Sequence, residues 1–415
     1  MALTIEIWAR ILQHLRDTEG GQKDLYVVSR VSQNLNRLAW PMLYKNIAYP
    51  ADSLKLLNSL VKMPFVTDLI RSVELTDSRP AGYIPQADQL ADMTVRCLQV
   101  PPKLKARLQS VVDEFSSGVY NGIPTLILSQ ARKVERVTLK LEDPCPDLMW
   151  LISGSEDIEV RWEPGQRFLF EAEKLEKDKD LSERFILPDL IPPEASMPSA
   201  LDLARYGIRA YKHYGLPFLT ELTLIHPNDG PKMSAYHLVP LMAHRGLQVL
   251  SFQGVSYEAA DVDSMMITPV QSNLHTFRLS DAHFNGTGVK DIFYRFPYLR
   301  TLELSSGSPN KADPVARHPV NFRDLGDVLT SVGRHLYVLH LDTRAFRREP
   351  SVFWLMYLNR LFCVKKLVIS TDCLRNYDPF VPRDEMRRTL TRDLPFRLEE
   401  LELLEVDVEN YIDQD

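Results

Sequence analysis

One spacing dominates this chain: an apolar residue, two free positions, an apolar residue, one free position, and a third apolar residue. It occurs nine times. The copies are Ile70-Val73-Leu75, Val134-Val137-Leu139, Leu219-Leu222-Leu224, Leu247-Leu250-Phe252, Leu274-Phe277-Leu279, Leu299-Leu302-Leu304, Leu336-Leu339-Leu341, Val364-Leu367-Ile369 and Leu398-Leu401-Leu403. From Leu219 onward successive copies begin between 25 and 37 residues apart. A unit of that length cannot bury its own apolar strand residues. It has to stack on a neighbour that does the same, so the recurrence predicts a solenoid. Solenoids present an extended surface, which turns the expectation toward binding and away from catalysis.

The segments between the later copies carry helical patterns that end at glycine or proline. Residues 236–244 precede Gly246, 287–295 precede Phe296-Pro297, and 322–332 precede Gly333. Glycine supplies the left-handed cap of a helix and proline stops its continuation. Similar helical stretches are expected at 199–213 and 104–115. The whole resembles an irregular leucine-rich-repeat array. That resemblance implies an α/β fold with parallel strands on the concave side, helices outside and right-handed connections.

At 415 residues, with 45% hydrophobic and 25% charged, the composition is that of an ordinary globular protein. A net charge of −6 gives no global attraction to nucleic acid or anionic membranes. Cys97, Cys145, Cys363 and Cys373 are too scattered for a disulfide framework or a zinc knuckle and suit a reducing compartment. No run of 18 apolar residues exists, and Glu6, Arg10, His14 and Arg16 interrupt any signal-peptide pattern. The expectation is a soluble protein of the cytoplasm or nucleus, where the Asn285-Gly286-Thr287 sequon carries no meaning.

The first 50 residues are patterned differently. Ile7, Ile11, Leu12 and Leu15 form one helical stripe, and Gly20-Gly21 follows as a break. A second helix is expected from about Lys23 to Ala39, ended by Trp40-Pro41, and a short third one around Met42 to Ile47. Leu3-Thr4-Ile5-Glu6-Ile7-Trp8, Ile11-Leu12, Leu15, Leu25, Val28, Ser29-Arg30-Val31-Ser32, Leu35, Leu38 and Leu43-Tyr44 resemble an F-box. Thr4 stands where that family commonly has proline, and Ser32 where cysteine is common. With the repeats behind it, the chain is similar to fungal F-box proteins with irregular leucine-rich repeats.

The resemblance implies an F-box-like helical domain over 1–50 and a repeat domain over 51–415. It also implies a role as substrate-recognition subunit of a Skp–cullin–F-box ubiquitin ligase. Leu3, Ile7, Ile11, Leu12, Leu15, Val28, Val31 and Leu35 would then divide between the module's own core and a Skp-type adaptor, which leads on to a cullin-RING ligase. A three-helix unit of this size buries little core alone, which leaves apolar residues for a partner. The alternative is that these helices only cap the end of the solenoid, in a repeat scaffold with no ubiquitin role. Capping and adaptor docking are compatible; the ligase-subunit and stand-alone scaffold roles are alternatives.

No catalytic or cofactor constellation emerges. The serine-glycine runs at 153–155 and 305–308 lack the lysine of a phosphate loop. His237 and His244 are spaced too widely for a metal pair and read as ordinary helix histidines. Cys363 and Cys373 read as core filler, as do the aromatics Phe353, Trp354, Tyr357 and Phe362. A charged, proline-rich insertion at about 143–215, with a charge run at 171–184, reads as a solvated segment.

Outward positions of the repeat strands supply the candidate substrate face: Thr276, Arg278, Glu303, His340 and Lys366, among neighbours such as Glu400 and Glu402. Its mixed charge suits a protein partner better than nucleic acid, which would need an unbroken basic stripe. The alternative is that these are solvated strand residues and the loops or the insertion do the binding. The terminal acidic residues Glu399, Glu400 and Glu402 are expected to blunt an exposed edge.

Overall fold

A computed structural model describes residues 4–16, 18, 21–49, 53–76, 108–109, 111–113, 122–131, 133–142, 145–153, 216–227, 232–242, 244, 246–258, 273–307, 322–344, 358–373 and 394–404. Leu3, Cys97, the aromatics at 353, 354 and 357, the helix expected at 199–213 and most of the 143–215 insertion lie outside these residues.

The chain opens with three helices: α1 (Ile5–Arg16), α2 (Gly21–Ser29) and α3 (Gln33–Lys45). The break between α1 and α2 falls where the glycine pair predicted it. A Cβ on Gly21 would lie 1.8 Å from the Leu15 carbonyl oxygen, so only glycine lets α2 start there. The expected continuous helix over 23–39 is instead split. Ser32, in extended conformation, accepts a hydrogen bond from the Leu35 N–H at 3.2 Å and caps α3.

Pro41 does not end α3 but sits inside it, although proline removes a helical hydrogen bond. Tertiary packing holds the turn around it. Trp40 stacks on Phe65 with ring centroids 5.2 Å apart, Tyr44 lies against Trp40, and Leu43 is buried. The third helix expected at 42–47 is therefore the end of α3, and the chain passes straight into a strand, β1 (Asn46–Tyr49).

All nine apolar triplets lead into strands. These are β2 (Ser72–Thr76), β3 (Arg136–Lys140), β4 (Glu221–Ile225), β6 (Val249–Gln253), β8 (Thr276–Phe284), β9 (Thr301–Ser306), β10 (Val338–Asp342), β11 (Lys366–Ser370) and β12 (Glu400–Leu404). They pair in sequence order, all parallel, with β1 at the first edge. Register places like on like: Leu222, Leu250, Phe277, Leu302, Leu339, Leu367 and Leu401 form one column across the sheet. This is a mixed α/β repeat solenoid with a helical region at its N-terminal end.

One face of the sheet is covered by helices: α4 (Ser53–Lys62), α5 (Ile123–Gln130), α6 (Pro146–Ser153), α7 (Gly286–Arg295) and α8 (Phe322–Val332). α4 packs on α5, α5 on α6, and α7 on α8, and their apolar residues share one core with the strand columns. The inward residues of the main-sheet strands from Val73 to Ile369 are at most 1% exposed. Burying each leucine fully is worth about 1.5–3 kcal/mol, so the columns dominate the stability of the frame. Within the expected 236–244 helix the structure has a 3-10 turn, Ala235–Leu238, followed by one α-turn, Val239–Met242. Of the 104–115 stretch, residues 108–109 and 111–113 are helical. The sequon Asn285 caps α7, accepting from the Gly288 N–H at 3.0 Å.

Two features were not visible in the repeat pattern. A small side sheet joins β5 (Met233–Ser234) and β7 (Val255–Tyr257) to the far half of β8, past a register shift between Leu279 and Ala282. At that shift Asp281 adopts φ 47° and pairs with Lys232, whose side chain is only 5% exposed. Beside it, α7 carries a buried polar cluster. The Tyr257 hydroxyl donates to the Asp291 carboxylate at 2.7 Å, and Arg295 Nε donates to the same oxygen at 2.6 Å. Arg295 is 1% exposed. Its Nη1 and Nη2 have no hydrogen-bond partner among the described residues. Burial, then the Asp291 charge, pushes the Tyr257 hydroxyl well above its ordinary range, so it stays a donor.

The columns end differently from the expectation of uniform burial. Leu401 and Leu403 are each 39% exposed, because no further strand among the described residues covers them. Phe362 is 57% exposed rather than core, since it lies on the turn entering β11 and not on a packed helix. Cys373 is buried against the Thr343 hydroxyl as expected, whereas Cys363 is only partly buried.

Candidate functional site

The face of the sheet opposite the helices exposes the alternate residues of each strand, partly buried side by side. Neighbouring strands lie about 4.8 Å apart, so residues in register form continuous rows. Arg278, Glu303 and His340 are consecutive members of one row, continued by Val368 and Glu402. Thr276 and Lys366 belong to the adjacent row, joined through Thr301 and Val338 and continued by Glu400. All five residues predicted as a substrate face therefore share one patch spanning β8 to β11.

The charges on this patch are largely spent on one another. Arg278 Nε donates to Glu303 at 3.0 Å, and Lys366 Nζ to Glu400 at 2.5 Å. The Glu400 hydrogen bond, aided by the charges of Glu400, Glu402 and Glu303, raises the Lys366 proton affinity. Further along, Lys140 pairs with Glu74 at 2.8 Å. Such partly exposed pairs contribute about 0–1 kcal/mol each, so they order side chains more than they stabilise the fold. His340 interrupts the pairing. Its Nε2 is buried without a hydrogen-bond partner among the described residues.

Beyond His340 the ends of the strands form a polar cluster missed by the sequence reading. Asp342 accepts from Ser305 and Ser370 hydroxyls and from Arg344. Burial works against its charge, but the side-chain and backbone hydrogen bonds from Arg344 outweigh it and hold the carboxyl below its usual range.

The second candidate surface is the helical block. Its core is Leu12, Leu25, Ala39 and Leu43, with Leu15, Val28, Leu35, Leu38, Met42 and Tyr44 packed partly against it. Leu12, included in the expected adaptor set, is 1% exposed and belongs to the core. Ile7 at 45%, Ile11 at 43% and Val31 at 70% remain on the surface. The structure adds Ile5, Tyr26 and Val27 to them, each more than half exposed. The i, i+4 spacing of Ile7 and Ile11 was legible in the sequence. Tyr26 and Val27 fall off the Leu25–Val28–Leu35–Leu38 stripe, the side that the structure does turn inward, so the apolar spacing does not mark them.

Among the described residues no group of three or more His, Cys, Asp or Glu is placed to hold a metal. His244 serves the fold. Its Nδ1 accepts the Gly246 N–H at 3.1 Å and its Nε2 donates to the Leu216 carbonyl at 3.1 Å, while burial lowers its proton affinity. Among the same residues no helix is long and apolar enough to cross a membrane.

No family model matches the sequence, and no curated protein matches it. A solved structure similar to this chain is the leucine-rich-repeat-containing protein LegL7 from Legionella pneumophila. It is 11% identical, with a TM-score of 0.34, over 91% of this chain and 80% of that one. Likeness at that level adds nothing to the fold read from the strand register.

Proposed function

We propose that this protein works by binding other proteins, as a substrate-recognition subunit of a Skp–cullin–F-box type ubiquitin ligase rather than as an enzyme. One observation carries the reading: six large apolar residues of a three-helix block stay exposed while the block packs on the solenoid through Trp40 and Tyr44. Exposed apolar patches of this kind on a small helical unit mark a macromolecular interface. α3 runs directly into β1, and Trp40 and Tyr44 pack on the first repeat, so whatever docks on the helices is held at a fixed orientation to the sheet. In this reading a Skp-type adaptor covers Ile5, Ile7, Ile11, Tyr26, Val27 and Val31, and a protein substrate is read by the Arg278–Glu303–His340 patch.

The internally paired charges of that patch favour a partner recognised by shape and hydrogen bonding over one recognised by bulk charge. Packing of Trp40 and Tyr44 on the first repeat uses none of these six exposed residues and coexists with docking. Co-expression with a Skp-type adaptor tests the proposal: the two should co-elute, and an Ile7→Ala, Ile11→Ala, Val31→Ala variant should not. If the intact chain elutes alone, the stand-alone scaffold reading replaces this one.

A further inference from the structure

Among the described residues no strand lies beyond β12, and it is there that the apolar columns become exposed. Two apolar columns run through nine repeat strands and stay at most 1% exposed up to Leu367 and Ile369, then emerge at Leu401 and Leu403. Backbone hydrogen bonds follow the same logic. Glu400 gives its N–H to the Lys365 carbonyl of the β11 side. Alternate residues of a parallel strand bond opposite neighbours, which turns the amides of Leu401 and Leu403 away from β11.

On the other face of the same strand stand Glu400 and Glu402, and residues 399–415 hold eight acidic residues with no lysine or arginine. A second copy of β12 would set glutamates opposite glutamates, which is unfavourable. The β1 edge of a second copy would offer them Asn46, which carries no charge. The fold itself shows what satisfies Glu400, namely a lysine in register on the neighbouring strand, Lys366 at 2.5 Å.

We propose that β12 is a docking strand for a basic, extended segment of a partner protein, added parallel as the next strand of the sheet. Valine, isoleucine or leucine of that segment covers Leu401 and Leu403, and alternating lysine or arginine faces Glu400 and Glu402. Backbone pairing supplies affinity and the alternation supplies specificity. The site lies at the opposite end from the helical block and does not depend on the adaptor reading.

The test uses the full chain and two synthetic peptides of equal composition, one alternating lysine and valine, the other with lysines and valines in separate blocks. The alternating peptide should bind and slow amide exchange at Leu401 and Leu403. The blocked peptide should bind more weakly, and Glu400→Lys with Glu402→Lys should weaken the alternating peptide by about tenfold or more. That variant removes the Lys366–Glu400 pair and sets a lysine beside Lys366, so a small fall in unfolding temperature is expected, and circular dichroism should show it still folded. Four results overturn the proposal: no binding, equal binding of the two peptides, Leu401 and Leu403 amides already protected in the free chain, or self-association abolished by Glu402→Lys.

Discussion

The helical block and the central repeats handle apolar residues in opposite ways. In the main-sheet strands from β2 to β11 every inward residue is sealed, because each has a neighbour on both sides and helices beneath. In α1 to α3 four residues are enclosed and six large apolar ones stay on the surface. The difference shows that the same residue types are frame in one region and contact surface in the other. Three helices enclose little volume, whereas stacked units share one continuous core.

The sharpest way to break this comparison is a charge inside a column. Leu250→Asp or Leu302→Asp should abolish folded protein, because an unpaired carboxylate there has neither water nor partner. Leu401→Asp should express and fold, and circular dichroism with thermal unfolding would separate the two cases. Equal damage at all three would mean that the terminal strand is as sealed as the centre.

Next in size is the charge buried beneath β7 and α7. Asp291→Leu should cost about 3–5 kcal/mol in chemical denaturation, since it strands the Arg295 guanidinium and the Tyr257 hydroxyl. The triple change Tyr257→Phe, Asp291→Leu and Arg295→Met should recover most of that loss. Within the helical block, Leu12→Ala should cost about 2–5 kcal/mol, while Ile7→Ala or Val31→Ala should each change stability by less than about 0.5 kcal/mol and act on partner binding instead.

A smaller effect is expected on the open face. Arg278→Glu, His340→Glu and Lys366→Glu together should leave the fold and the adaptor contact intact and change the captured partners. An unchanged set in affinity purification would move substrate reading to the loops. The smallest effect follows from His244. Its folded proton affinity lies below the ordinary 6.5, so below that pH the unfolded chain binds more protons and stability falls with pH. Replacing His244 by asparagine should flatten that slope between pH 7 and 5 in thermal unfolding, at some loss from its two backbone hydrogen bonds.

The triplet spacing alone determined the nine strands, their parallel order and which residues form the apolar columns, because period-two alternation has one inward face and stacking is the only way to bury it. The helices expected at 287–295 and 322–332 were legible from their helical pattern and the proline or glycine after it, and the gathering of Thr276, Arg278, Glu303, His340 and Lys366 on one patch follows from the strand alternation. Tertiary structure decided the rest. Pro41 stays within α3 because Trp40 and Tyr44 are held by the first repeat, and Leu12 turns inward while Ile7 and Ile11 do not because α2 and α3 cover only one side of α1. The pairing of Arg278 with Glu303, the Tyr257–Asp291–Arg295 cluster and the uncovered Leu401 and Leu403 all depend on which strands are neighbours in space. A local pattern specifies which side of an element is apolar, but only the assembled chain determines what, if anything, comes to lie against it.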